Sequence, residues 1–486
     1  MNTEIRELEP KELWNKFTDL NAVPRPSKKE ERVIEFMVNF GKTLGLETFE
    51  DKVGNVIIKK PATSGMEDRQ TVIMQSHLDM VHQKNNDTQF DFDTQGIDMF
   101  VDGDWVKAKG TTLGADNGIG VATIMAILES TTISHPAIEA LFTIDEETGM
   151  TGAKGLEGGL LTGDILLNLD TEEDDEIGVG CAGGVDVTAI RSYNEEETPE
   201  FKTGYKITVK GLQGGHSGMD IHKGFGNANK LMNRLLFDGF ENFGLRISEI
   251  DGGSLRNAIP RESRAIVVID AMSEAAFHSE MDEISEAIKT EYKTLEPNLT
   301  IEITKVDTPK MMMDLGVQEG FTRALYAACN GVYRMSPDIP DLVETSNNIA
   351  RVIVKDGEIK IACLTRSSVE TSKWDLANML RATFELTGCE VEFDGDYPGW
   401  KPDMDSNILK VLSTLYKEMN GKEAHVAACH AGLECGILGQ NYPNMEMISF
   451  GPNIKGAHSP DERVQISSVQ KYWKFVLEIL KNIPKK

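Results

Sequence analysis

Thr71-Val72-Ile73-Met74-Gln75-Ser76-His77-Leu78-Asp79 opens as an apolar strand and leads straight into an H-x-D pair. The same placement recurs twice: the apolar run Ile138 to Ile144 ends at Glu146-Glu147, and Ile165 to Leu169 ends at Asp170. In open α/β sheets ligands gather beyond the carboxyl ends of strands, so these three segments predict an α/β fold with a site along one sheet edge. A fourth, Asp116, lies in Gly114-Ala115-Asp116-Asn117-Gly118, a glycine-bearing loop leading into an apolar helix with Val121, Ile124, Met125 and Leu128. Val56-Ile57-Ile58 reads as a further strand, in a hairpin with the 71–74 run. Helices are expected over 10–21 and 28–45, the second introduced by Pro24-Arg25-Pro26 and a capping box from Ser27 to Glu30.

At 486 residues the chain exceeds one ordinary core, which predicts two or three domains. From about residue 187 the pattern changes. A helix carrying Phe225, Ala228, Met232 and Leu235 precedes strands near 245–250 and 264–269, a helix with Phe277, Met281, Ile284 and Ile288, and the strand Leu299 to Ile303. A second pass runs from a helix around 318–330 through strands 349–354 and 358–363, joined by an Asp356-Gly357 turn, to a helix 368–387 and a strand 390–393. Each pass has the α-β-β-α-β character of a ferredoxin-like unit, which predicts an inserted α+β domain of two related halves over 187–396. The first domain is then discontinuous, 1–186 and 397–486, because a late histidine, His458, belongs with the acidic strand ends.

The formal charge of −28 opposes nucleic-acid and anionic-membrane partners. The N-terminus lacks a secretory pattern and no stretch reaches transmembrane length, so a cytoplasmic protein is expected. Six cysteines without CxxC spacing fit reduced, packed thiols, Cys181 included.

His77, Asp79, Asp116, Glu146, Glu147, Asp170 and His458 together contain what a two-metal hydrolase needs: a shared carboxylate, an imidazole and a carboxylate for each ion, and one further carboxylate as base. Each has an ordinary alternative when taken alone: a surface His-Asp pair, a helix N-cap for Asp116, a solvated acidic turn for Glu146-Glu147. In combination, Asp116 is the natural bridge, and of the adjacent glutamates one ligates while the other takes protons. Asp170 is chosen over Asp174 and Asp175 because it directly follows the apolar strand. His458 lies in Gly456-Ala457-His458-Ser459-Pro460-Asp461-Glu462 with no packing pattern to explain it, whereas His82, His135, His278 and His425 read as surface residues. His216, in Gly214-Gly215-His216-Ser217-Gly218, suits substrate contact, a purely structural glycine turn being its alternative.

The order H-x-D, G-A-D-N-G, D-E-E-T-G, N-L-D, G-G-H-S-G, R-N-A-I-P and G-x-H-S-P resembles the carnosinase and aminoacylase superfamily of co-catalytic zinc peptidases. Within it the chain is similar to the aminoacyl-histidine dipeptidases, also called cytosol non-specific dipeptidases. The resemblance implies a zinc-peptidase-like catalytic domain, with a central mixed sheet flanked by helices, plus the inserted lid. It implies that His77 and Asp170 hold one zinc, Glu147 and His458 the other, and Asp116 bridges them. Asp79 would orient His77, and Glu146 would act as general base on a metal-bridging water. His216 and Asn257 match the lid residues that stabilise the oxyanion and hold the substrate backbone, and Arg366 matches the clamp for its carboxylate, with Arg351 as the competing candidate. Glu434 could meet the substrate's amino end or serve as a cap or packing group. The doubled lid would imitate a dimer within one chain, so a monomer or homodimer is expected. The resemblance implies two divalent ions, zinc, with Mn²⁺ or Co²⁺ accepted by the same donors. The alternatives are an N-acyl amino acid deacylase and a non-catalytic binding protein on the same scaffold.

Overall fold

Val72–His77 is an inner strand of an eight-stranded mixed sheet in a computed structural model that describes residues 2–85 and 87–486. Across the sheet the order is Glu47–Glu50, Val56–Lys60, Ile138–Thr143, Val72–His77, Ile165–Asn168, Glu446–Ser449, Glu176–Cys181 and His425–Cys429. Four neighbours, from Ile138–Thr143 to Glu446–Ser449, run parallel. Every residue of Ile138–Thr143, Val72–His77 and Ile165–Asn168 is buried, which explains their continuous rather than alternating apolar runs. Register then builds the site edge: His77 pairs with Thr143 and Gln75 with Asn168, so the chain leaves all three strands at one level.

The expected hairpin between the 56–58 and 71–74 runs does not form. Val56–Lys60 pairs antiparallel with Glu47–Glu50 on one side and Ile138–Thr143 on the other, and the latter separates it from Val72–His77. Helices occupy Lys11–Asn21 and Glu31–Thr43. The capping box expected at the second is also absent: the Ser27 hydroxyl donates to Asp79 Oδ2 at 2.8 Å, and the Glu30 carboxylate accepts from Lys28 N–H at 2.8 Å. The helix Ala115–Glu129 is buried at nearly every position, as an apolar helix against the sheet must be. His135 is fully buried, its Nδ1 2.7 Å from the Pro136 carbonyl, and is not the surface residue expected.

The hairpin Ile454–Lys455 and Arg463–Gln465 joins Trp105–Ala108 and Met99–Asp102 in a four-stranded sheet, with Arg463 opposite Lys107 and Gln465 opposite Trp105. This register carries the His458 loop beside the segment that enters Asp116. These parts belong to one compact unit, Met1–Gly180 with Trp400–Ala428 and Leu433–Lys486. Among the described residues no helix is long and apolar enough to cross a membrane.

The second unit spans Cys181–Gly399 and Cys429–Gly432. Its large sheet is antiparallel, in the order Thr300–Val306, Lys202–Lys210, Ser263–Asp270, Arg246–Gly253, Val343–Lys355, Glu358–Ser367, Gly183–Ser192, Glu390–Tyr397, with Gly331–Met335 also on Val343–Lys355. Each set of four is a β-α-β-β-α-β unit with its strands arranged 4-1-3-2, and the two units meet through their second strands, Arg246–Gly253 and Val343–Lys355. The first strand of the second half, Gly183–Ser192, precedes the whole first half in the chain, so one ferredoxin-like half is inserted into the other. A single core joins them, with Leu231 and Phe277 of the first in one apolar cluster with Phe321 and Leu380 of the second. At the Asp356-Gly357 turn both residues have positive φ, 51° and 74°, as a two-residue hairpin requires.

Candidate metal centre

His77 ends its strand 1% exposed, with the Asp79 carboxylate 3.3 Å from Nδ1. Asp79 orients more than the ring. Its Oδ1 accepts from Glu146 N–H at 3.0 Å and its Oδ2 from Glu147 N–H at 3.3 Å, so one buried carboxylate also sets the turn bearing both glutamates. With Nδ1 engaged by Asp79, His77 Nε2 faces outward, 3.1 Å from Asp116 Oδ1 and 3.6 Å from Asp170 Oδ1. The other oxygen of Asp116 lies 3.2 Å from His458 Nε2, and that nitrogen is 2.9 Å from Glu147 Oε2. Asp116 therefore stands between two imidazoles, with one oxygen toward each. Asn117 holds Asp170 by an amide hydrogen bond of 2.5 Å to Oδ1.

The donor set fits a pair of divalent cations. His77, Asp116 and Asp170 form one group whose ligand atoms lie within 4.8 Å of one another, and Asp116, Glu147 and His458 form another. The two groups share Asp116. Glu146 joins His77 and Glu147 in a third group of the same compactness. All donors are imidazole nitrogen or carboxylate oxygen, and Glu147 Oε1 is buried without a hydrogen-bond partner among the described residues.

Proton affinities show what the cluster does without cations. Burial, with Asp116, Glu434 and Glu147 adding to it against His77, pushes Asp170 up to about 8. Burial likewise raises Glu146 well above the carboxylate range, with Asp170, Glu434 and Glu147 reinforcing it. Hydrogen bonds donated by the ring to the Asp116 and Glu147 carboxylates push His458 up to about 11. At His77, burial opposes the charge, but Asp170, Asp116 and Asp79 outweigh it and raise the imidazole well above its usual value. Protons thus stand in for cations, and cation binding must displace them.

A pH dependence follows. Asp170 titrates at about 8 in the folded, metal-free protein, but an unfolded aspartate does so at about 4. Between those values the folded state binds more protons at Asp170, so the contribution of this group to stability is fullest below about pH 4 and falls as pH rises towards 8. His77 and His458, also raised, add the same sign above about 6.5. Differential scanning calorimetry from pH 5 to 9 is expected to show the Tm of chelated protein falling relative to metal-loaded protein, so that the gap widens with pH. A constant gap would remove the linkage.

Several supporting residues left no separate signal in the sequence. Arg25, 1% exposed, donates to the Leu78 and Asp79 carbonyls at 3.1 Å each and to the Gly114 carbonyl at 2.6 Å. It ties the H-x-D loop to the Asp116 loop. Ser27, read as a helix cap, serves Asp79. Glu434 is 1% exposed, its Oε2 accepting from Gln75 Nε2 at 2.6 Å and Thr143 Oγ1 at 2.7 Å, and burial pushes its carboxyl up to about 7. That geometry fits the packing alternative for Oε2, while Oε1 is buried without a hydrogen-bond partner among the described residues.

In the second unit His216 and Asn257 lie on adjoining loops: Ser217 N–H donates to the Asn257 carbonyl at 2.8 Å, and His216 bridges Ala258. His216 Nδ1 accepts from Gly218 N–H at 3.1 Å and Met219 N–H at 3.0 Å, which leaves the proton of the neutral ring on Nε2. Burial and Arg366 lower this imidazole to about 4, so it is neutral at physiological pH. Arg366 is 4% exposed, with NH1 2.7 Å from Tyr397 Oη and Nε 3.5 Å from Ser217 Oγ, beside the His216 loop. Arg351 is committed elsewhere, to Asp251 and the Gly253 carbonyl. His430, which the sequence reading passed over, is buried in this unit against Ser346 Oγ at 2.8 Å.

The sequence profile of peptidase family M20/M25/M40 matches residues 73–482. The chain belongs to this family. Among M20 relatives, the cytosol non-specific dipeptidase of Escherichia coli (strain K12) is 44% identical over 484 residues, covering 100% of both chains. The crystal structure of aminoacylhistidine dipeptidase from Vibrio alginolyticus has a TM-score of 0.94 at 44% identity, over 100% of this chain and 99% of that one. Aminopeptidase PepT from Bacillus cereus has a TM-score of 0.58 at 17% identity, over 98% and 99%, a likeness of fold alone. The mixed-sheet peptidase fold that the family resemblance implied is thus the fold of the chain.

Proposed function

We propose that this chain is a metal-dependent dipeptidase that hydrolyses unblocked dipeptides, Xaa-His among them. The observation that carries the substrate class is the 44% identity, over 100% of both chains, to a cytosol non-specific dipeptidase. The reaction type is supported by Asp116 standing between two imidazoles with Glu146 close by. In this reading His77 and Asp170 hold one divalent ion, Glu147 and His458 the other, and Asp116 both; zinc fits the donors, as do Mn²⁺ and Co²⁺. When bound, such ions polarise a carbonyl oxygen and make water more acidic.

The chain's own residues supply the rest. Glu146, its proton affinity raised by burial, takes a proton from the attacking water and delivers it to the leaving amine. Asp79 acts by holding His77 and the Glu146-Glu147 turn. His216, neutral with Nε2–H free to donate, suits a developing oxyanion, with Asn257 holding the peptide beside it. Arg366, rather than Arg351, offers its guanidinium to the substrate carboxylate. Glu434 supports the strand ends. A cytoplasmic setting and action as monomer or homodimer complete the proposal.

The test is hydrolysis of a free dipeptide and its N-acetylated counterpart by metal-loaded protein. Acetylation removes the charge and two of the three hydrogen-bond donors of the substrate amine, and is expected to lower kcat/KM for the blocked substrate by about 10–100-fold. The reverse order would favour the deacylase, and no turnover of either, with metals bound, would favour a binding protein.

A further inference from the structure

A second carboxylate near the centre that is none of the proposed ligands is held entirely by backbone N–H groups. Glu462, 2% exposed, accepts four successive backbone N–H groups: Leu113 at 2.6 Å and Gly114 at 2.9 Å on Oε2, Ala115 at 2.8 Å and Asp116 at 3.2 Å on Oε1. Consecutive N–H groups converging in this way form a nest, and here the acceptor is a carboxyl side chain from a distant part of the sequence. Gly114 makes the nest possible. Its φ is +70°, and a Cβ there would meet Arg25 NH2 at 2.5 Å. With the N–H groups turned toward Glu462, the Gly114 carbonyl is left to Arg25 at 2.6 Å.

Glu462 shares its loop with His458. Glu462 N–H donates to the Ser459 carbonyl at 3.1 Å and Ser459 N–H to the Gly456 carbonyl at 3.2 Å, so the tight turn fixes the separation of imidazole and carboxylate. One loop therefore grips Asp116 at two points: His458 Nε2 lies 3.2 Å from its carboxylate, and Glu462 holds its backbone. We infer that Glu462 is the positioning residue that locks the Asp116 loop to the His458 hairpin and so sets the geometry of the shared aspartate between the two cation sites. The inference rests on the proposed metal centre but predicts a property of the metal-free protein as well.

The test is Glu462→Gln. A carboxamide of similar size keeps one acceptor oxygen and turns an NH₂ toward the other two N–H groups, which loses about half the grip. In metal-free protein, amide exchange at Leu113–Asp116 is expected to accelerate at least about tenfold while Val72–His77 is unchanged. In Zn²⁺ titrations by calorimetry, affinity is expected to fall about 10–100-fold. At saturating Zn²⁺, kcat is expected to fall with KM little changed, because Glu462 touches no substrate. Folded Glu462→Gln protein with parental exchange and parental Zn²⁺ affinity would overturn the inference. If parent protein bound no Zn²⁺, the metal reading would fail, and the exchange measurement alone would decide the role of Glu462. Glu462→Asp, a shorter carboxylate, decides the matter by the same readings if Glu462→Gln does not fold.

Discussion

Glu146→Gln is expected to bind metal as the parent does and to lose about 10²–10⁴-fold in kcat, the range that a positioned general base supplies. The substitution preserves size and the backbone bond from residue 146 to Asp79, which depends on the peptide N–H rather than the side chain. It removes the one group able to shuttle a proton at this position. KM should change much less, since in this reading Glu146 acts on water and the leaving amine. Metal content by atomic emission, measured beside steady-state kinetics, separates this outcome from loss of ions. Turnover within threefold of the parent would reject Glu146 as base; lost metal would make it a ligand.

Asp116→Ala is expected to have the larger effect on metal. Each of its oxygens faces a different imidazole, so both cation sites lose a donor at once. Removing Asp170 or Glu147 would affect one site. The metal contribution to such a reaction amounts to several kcal/mol, so kcat/KM is expected to fall by about 10³-fold or more. Equilibrium dialysis is expected to show both ions weakened for Asp116→Ala and one for Asp170→Ala. Equal loss of a single ion in both variants would contradict the shared role. The fold should persist, because Glu462 holds the loop through the peptide N–H groups, which alanine retains.

The same contrast, between what side-chain type announces and what chain path decides, runs through the molecule. His77, Glu146, Glu147 and Asp170 were legible because each follows a contiguous apolar run, and such runs mark strands locally. Strand partners were not. The 56–58 run pairs with Ile138–Thr143, far along the chain, and not with the nearer 71–74 run, because the parallel strands must fill the interior of the sheet. The ferredoxin-like halves showed as two α-β-β-α-β passes, but the first strand of the second half, Gly183–Ser192, was hidden by the insertion of the entire first half behind it. Ser27 has the signature of a helix cap and is claimed instead by Asp79, a competition that local pattern cannot rank.

The sequence by itself determined which residues are of the types that two-metal chemistry needs and at which strand ends they fall, because hydrophobic period and residue type are written in neighbouring positions. Tertiary structure alone decided which oxygen of Asp116 faces which imidazole, that Arg366 and not Arg351 lies beside His216, and that Glu462 closes on the loop at Leu113–Asp116. Those are pairings between groups far apart in the chain, and an oriented hydrogen bond or ion pair exists only once the folded path has brought its two ends within about 3 Å.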